Sequence, residues 1–206
     1  MTLPNDSVAV TPGTGATIAT HLVNSKEYQV VMQANAAGHI MGSLDTFTAH
    51  VASMASSANK PFFHIFNASG SGKIVKVRKL YIIPSLAVNA LTGQTWSVRK
   101  TSAVGTTGNT AVTPRPHDSA SAALPGQITV AHSFTAGGTD AFTYFDIVVA
   151  PEETLPAIGI VPYMNLLPVD GDFVTDYVLR EGEGLKLLNV TGGAYSYGAT
   201  GVFTVE

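Results

Sequence analysis

The sequence predicts an all-β fold: a β-sandwich, in its jelly-roll form, with an extended N-terminal arm. Three observations lead there. Short runs rich in Val, Ile, Thr, Tyr and Phe recur along the chain, divided by Gly, Pro, Asn and Asp turn signals. No window sustains apolar residues at the period of an amphipathic helix. About eight strand-like runs fit between Lys60 and Glu206, the number a jelly roll needs.

The elements follow in order. "VTPGTGATIATHLV" opens on a turn at Pro12 and Gly13 and enters a β-branched run from Thr17 to Val23. "EYQVVMQ" alternates, with Tyr28, Val30 and Met32 on one face and Glu27, Gln29, Val31 and Gln33 on the other. The first 59 residues carry four charges, Asp6, Lys26, Glu27 and Asp45, and too little apolar mass for a core of their own. Residues 1–59 therefore read as an arm that docks on something else, ending in "VASMASSANK", small and polar enough for a linker or one weak helical turn. Residues 60–206 read as the sandwich domain.

Within that domain "KPFFHIF" is a dense aromatic strand. "KIVKVRKLYIIP" sets Val75 and Val77 in one phase and Leu80 and Ile82 in the next, a slip that predicts a β-bulge near Lys79. "QTWSVRKT" precedes a Gly/Thr/Pro-rich loop over 104–125, with Trp96 expected in the core. "QITVAHSF", "AFTYFDIVVA", "LPAIGIVPYM", "DYVLR", "GLKLLNV" and "TGVFTVE" complete the series.

Composition bounds the function. At 206 residues the chain suits one domain plus an arm. With no cysteine, thiol catalysis, cysteine zinc sites and disulfides are excluded. Charged residues are 12% of the chain, about half the usual share, which fits a surface packed against other subunits. The net charge is −3, and the basic stretch Lys73–Lys79 alternates into a solvated strand face, so no direct nucleic-acid contact is expected. The N-terminus lacks the charged and apolar regions of a signal peptide, and no apolar run is long enough to span a bilayer, so no membrane partner is expected.

"FNASGSGKIV", 66–75, raises the question of phosphate binding. A P-loop needs Ser or Thr after the Gly-Lys pair, a glycine where Asn67 stands, and a helix where a strand follows. Ile74 stands in the hydroxyl position, so the stretch reads as a hairpin turn with Gly70 and Gly72 at positive φ. The six histidines, His21, His39, His50, His64, His117 and His132, show no metal-ligand spacing. Asp170, Asp172 and Asp176 read as turn residues. The sequons at Asn67 and Asn189 carry no weight without secretion. No catalytic constellation emerges, and neither a cofactor nor a catalytic residue is expected.

The stretches "DSVAVTPGTGATIATHLVNSKEYQVVMQANAAGHI", "HIFNASGSGKIVKVRKLYIIPS", "RKTSAVGTTG" and "VLREGEGLKLLNVTGG…GVFTVE" resemble accessory structural proteins of tailed bacteriophages. That resemblance implies a β-sandwich subunit that decorates or cements a capsid, or belongs to the neck or tail, after synthesis in the host cytoplasm. The partner would be the major capsid protein or another virion protein. A homo-oligomer, preferably a trimer, would bind the lattice through avidity. Within the arm, Tyr28, Val30 and Met32 are the expected interface anchors. Two other readings stand beside it. One is a carbohydrate-binding module using Trp96, Tyr195 and Tyr197; the other is a hydrolase on the same scaffold, which would need a carboxylate pair in one cleft.

Overall fold

The computed structural model describes residues 17–23, 26–34, 40–41, 45–84, 94–105, 107–149, 164–166, 169–170, 173–174, 176–192 and 196–206. The chain divides into two compact units, Met1–Ser43 and Leu44–Glu206. In the first, β1 (Thr17–Val23) pairs antiparallel with β2 (Lys26–Ala34), and β3 (Ile40–Met41) adds to the far side of β2. These are the β-branched run and the alternating run expected from the sequence. The register sets Met32, Val30 and Tyr28 opposite Thr17, Ala19 and His21.

The second unit holds two antiparallel sheets. Its strands, in chain order, are β4 (Asp45–Ala55), β5 (Lys60–Asn67), β6 (Val75–Pro84), β7 (Gln94–Thr101), β8 (Thr110–Ala111), β9 (Arg115–Pro116), β10 (Ile128–His132), β11 (Asp140–Val149), β12 (Met164–Asn165), β13 (Val169–Asp170), β14 (Phe173–Val174), β15 (Tyr177–Leu179), β16 (Glu183–Asn189) and β17 (Ser196–Val205). One sheet runs β12-β6-β17-β4-β9, with β15 also on β6; the other runs β11-β7-β16-β5-β10-β8. The all-β sandwich expected from the sequence is what forms. β13 and β14 pair antiparallel as a separate two-stranded sheet, with Asp170 opposite Phe173; Asp172 lies outside the described residues.

The core lies between the sheets. Phe47, Ala49 and Val51 of β4, Val75, Val77, Leu80 and Ile82 of β6, and Phe203 of β17 are buried from one side. Phe63, Ile65, Trp96, Val98, Leu185 and Leu187 come from the other, forming one continuous cluster. The phase slip in β6 is real: Val202 pairs with Lys79 and Phe203 with Val77, leaving Arg78 as the extra residue. The bulge turns both Val77 and Leu80 inward, so neither half of the strand wastes its apolar face.

One boundary moves. The sequence reading ends the arm at residue 59, whereas the sandwich begins at Leu44 and β4 is one of its inner strands, paired with β17 along its length. The apolar face of β4 includes Ala49 beside Phe47 and Val51, and small residues follow at Ala52 and Ser53, so its alternation is faint in the sequence. Its partner segment in β17, "SYGATG", is small apart from buried Tyr197.

Two buried asparagines close the ends of the sandwich. Asn67 ends β5 and donates to the carbonyls of Lys73 (2.8 Å) and Leu179 (3.2 Å), joining the β5–β6 and β15–β16 connections. Asn189 ends β16 and donates to Ser56 Oγ (2.8 Å), while its own Oδ1 accepts from the Gly192 N–H (2.9 Å). Those bonds join the β4–β5 and β16–β17 connections at the other end. Both residues are fully buried, so neither sequon presents its amide to a glycosylating enzyme in the folded protein.

Candidate functional site

The stretch that raised the phosphate question does bind an anion, but an internal one. Gly70 and Gly72 adopt φ of 82° and 64°, conformations that L side chains rarely take. The turn thereby aims its N–H groups at the Glu181 carboxylate, with Gly70 N to Oε2 at 3.1 Å and Gly72 N to Oε1 at 2.6 Å. Glu181 belongs to the β15–β16 connection, so the bond clasps one crossover to the other. The two glycines take positive φ as expected, but the turn is not a hairpin: β5 and β6 lie in different sheets, so it is a crossover between them, and its cradle has an occupant supplied by the chain.

The basic stripe on β6 is likewise matched from within. Lys76 pairs with Glu206, and Arg78 pairs with Asp176 at 3.1 Å, both at part-exposed positions. Trp96 and Tyr197, two of the aromatics considered for carbohydrate stacking, are buried and pack edge-on with ring centroids 4.8 Å apart. Neither has a face to offer a sugar. Tyr195 lies outside the described residues. Among the described residues, no cluster of three or more His, Asp or Glu side chains could hold a metal ion.

The densest polar chemistry sits on the outer face of the β16 sheet. Strand pairing lines up Ala131, His64, Lys186, Arg99 and Thr143 across β10, β5, β16, β7 and β11. Period-two alternation puts this row on the face away from the core, because Leu185, Leu187 and Val98 fill the core side. Lys186 is nearly buried and pairs with Asp140 Oδ1; Arg99 holds Oδ2 of the same carboxylate at 2.9 Å. Burial pushes the Asp140 carboxyl up, but hydrogen bonds from Lys186 and Arg99 outweigh it, leaving the group below its usual range. Next to them, Lys100 pairs with Glu183 at 2.8 Å.

His64 is the unusual member. It is 2% exposed, and its ring packs against Phe66 and Phe134 at centroid distances of 5.7 and 5.5 Å. Its Nε2 meets Thr101 Oγ1 at 2.9 Å, spanning from β5 to β7 across the intervening β16. The span is possible because β16 places Gly184 beneath it. A Cβ there would stand 2.6 Å from His64 Nε2 and 2.5 Å from Thr101 Oγ1. Burial, and next the charge of Lys186, lower the His64 pKa from 6.5 to about 4, with Asp140 opposing, so the ring is neutral near pH 7.

Two loop segments roof this face. Ser102 N–H donates to Thr139 O (2.9 Å), and Thr135 donates to Thr107 O from its N–H (3.0 Å) and its hydroxyl (2.9 Å). Phe134 hangs from the roof over His64. From the sequence, His64 either packs or points to solvent, and nothing singles out Lys186, Arg99 or Asp140. These residues lie far apart along the chain and meet only through strand order, so no local spacing announces them.

Exposed apolar side chains also occur on β11 and on β15, which belong to different sheets. Phe142, Val148 and Val178 are exposed apolar side chains, and the Phe142, Tyr144 and Tyr177 rings form a chain of contacts from β11 to β15. Lys100 Nζ lies 5.9 Å from the Phe142 ring centroid. Compared with protein-family models, with curated proteins and with solved structures, the chain has no match.

Proposed function

We propose that this chain is a structural protein of a phage virion, a capsid decoration or cement protein that stabilises the major capsid lattice through multivalent contacts. The observation that carries the reading is the division of the chain. A sandwich whose strands pair among themselves follows a three-stranded unit, Met1–Ser43, whose sequence has little apolar mass for a core. A sheet of that size needs a further surface to pack against. A neighbouring subunit or the shell would supply it.

Two further features support the reading. In this reading the orders β4-β17-β6-β15 in one sheet and β5-β16-β7-β11 in the other support a jelly roll built from two Greek keys. The low charge content and the exposed apolar side chains Phe142, Val148 and Val178 suit contacts between copies. In this reading the assembly is a trimer on the capsid surface, and Tyr28, Val30 and Met32 anchor the arm.

The test uses capsids lacking this protein. The full chain should co-sediment with them saturably. Both a 44–206 truncation and the Tyr28→Ala/Val30→Ala/Met32→Ala variant should lose binding by about tenfold or more, as expected when one contact of a multivalent set is removed. Equal co-sedimentation of the truncation refutes the arm as a contact element, and no binding by the full chain refutes the capsid reading.

A further inference from the structure

We propose that the space between the loop roof and His64 is a binding site for a small uncharged molecule: a ring-sized apolar body carrying one hydrogen-bonding oxygen. The cavity has a volume of about 300 Å³, twice the roughly 150 Å³ that accommodates benzene in an apolar protein interior. Its back is formed by buried His64, Val130, Ala131 and Phe134. Its mouth is formed by exposed Asn109 and Ala111. It is a walled recess with an entrance, held open by the bonds between the two roof segments.

His64 gives the recess its chemistry. Thr101 occupies Nε2, and no described residue pairs with Nδ1. With Nε2 held by Thr101, Nδ1 is the ring nitrogen with hydrogen-bonding capacity left for a ligand in the cavity that His64 lines. Neutral imidazole has one donor and one acceptor nitrogen, so it bonds a hydroxyl or a carbonyl equally well. The walls favour an apolar body: Val104, Ala111, Ala131 and the Phe134 ring surround the site, beside the hydroxyl-bearing Thr129. An anion would gain little, because the cations behind His64, Lys186 and Arg99, already share the carboxylate of Asp140. The ligand class is therefore a phenol-like or cyclic alcohol or ketone. The site is independent of the capsid reading.

Phenol, toluene and benzoate are the probes, titrated into the full chain and followed by the imidazole and Phe134 ring resonances in NMR spectra. Phenol at millimolar concentration should shift both saturably. Toluene, without an oxygen, should bind about tenfold more weakly, the equivalent of one hydrogen bond. Benzoate should not compete. Ala111→Leu at the exposed mouth should block phenol while leaving the sandwich melting transition in place, and His64→Phe should reduce phenol to the affinity of toluene. Equal binding of phenol and toluene overturns the role of His64. Absence of any saturable shift, or undiminished phenol binding by a folded Ala111→Leu protein, overturns the site.

Discussion

A buried imidazole between a roof and a row of cations makes His64 the residue through which acid acts first. Its pKa is about 4 in the folded protein and 6.5 in the unfolded chain. Between those values the unfolded chain holds a proton that the native state refuses, so the stability His64 contributes is complete above pH 6.5 and falls as the pH drops toward about 4. The loss across that window is on the order of 3 kcal/mol. Asp140 and Glu183, both held below their usual range, act in a lower window: their contribution disappears as the pH falls below the ordinary carboxylate value through their folded pKa. Urea unfolding of the wild type should show a marked decline between pH 7 and pH 5, and His64→Gln should flatten it. An equal decline in both proteins would locate the acid sensitivity elsewhere.

At the scale of the element, what the sequence reveals depends on whether the signal is local. Thr17–Val23 is legible because β-branched residues follow one another, and the bulge at Arg78 is legible because a one-residue slip changes which face is apolar. β4 is not, since half its packing is done by small side chains against a glycine-bearing partner strand. Nor is the polar row, whose members come from four strands. Gly184 shows how much such long-range fitting matters. Its bare Cα lies beneath the His64–Thr101 hydrogen bond, with Phe66 also 2.6 Å from any added methyl. Gly184→Ala should therefore destabilise the sandwich by about 3 kcal/mol, at the upper end for overpacking, because strand backbone and three side chains must shift together. The Thr101→Val variant, which removes the same hydrogen bond without crowding, should cost only about 1 kcal/mol. A chemical denaturation series that ranks the two in the opposite order would mean that the methyl is accommodated and the bond matters more than the space.

For the whole molecule the decisive feature is where the fold becomes self-sufficient. Every described strand from β4 to β17 finds its partners within Leu44–Glu206. Four of the crossovers between the sheets, β4–β5, β5–β6, β15–β16 and β16–β17, are closed by Asn67, Glu181 and Asn189. None of these bonds involves the first unit. A protein of residues 44–206 should accordingly fold alone, with a thermal midpoint within about 4 °C of the full chain, a shift corresponding to roughly 1 kcal/mol in a domain of this size. A truncation at residue 60, the boundary suggested by composition, should remove β4 from the middle of its sheet. That would expose the Phe203 face and leave no cooperative transition. Scanning calorimetry on the two truncations separates the possibilities. If 44–206 melts far below the full chain, the N-terminal unit completes the core instead of reaching outward, and its role as a contact element loses its physical basis. If it melts with the full chain while capsid binding is lost, the labour is divided as the strand pairing suggests: the sandwich holds the shape and the arm makes the attachment.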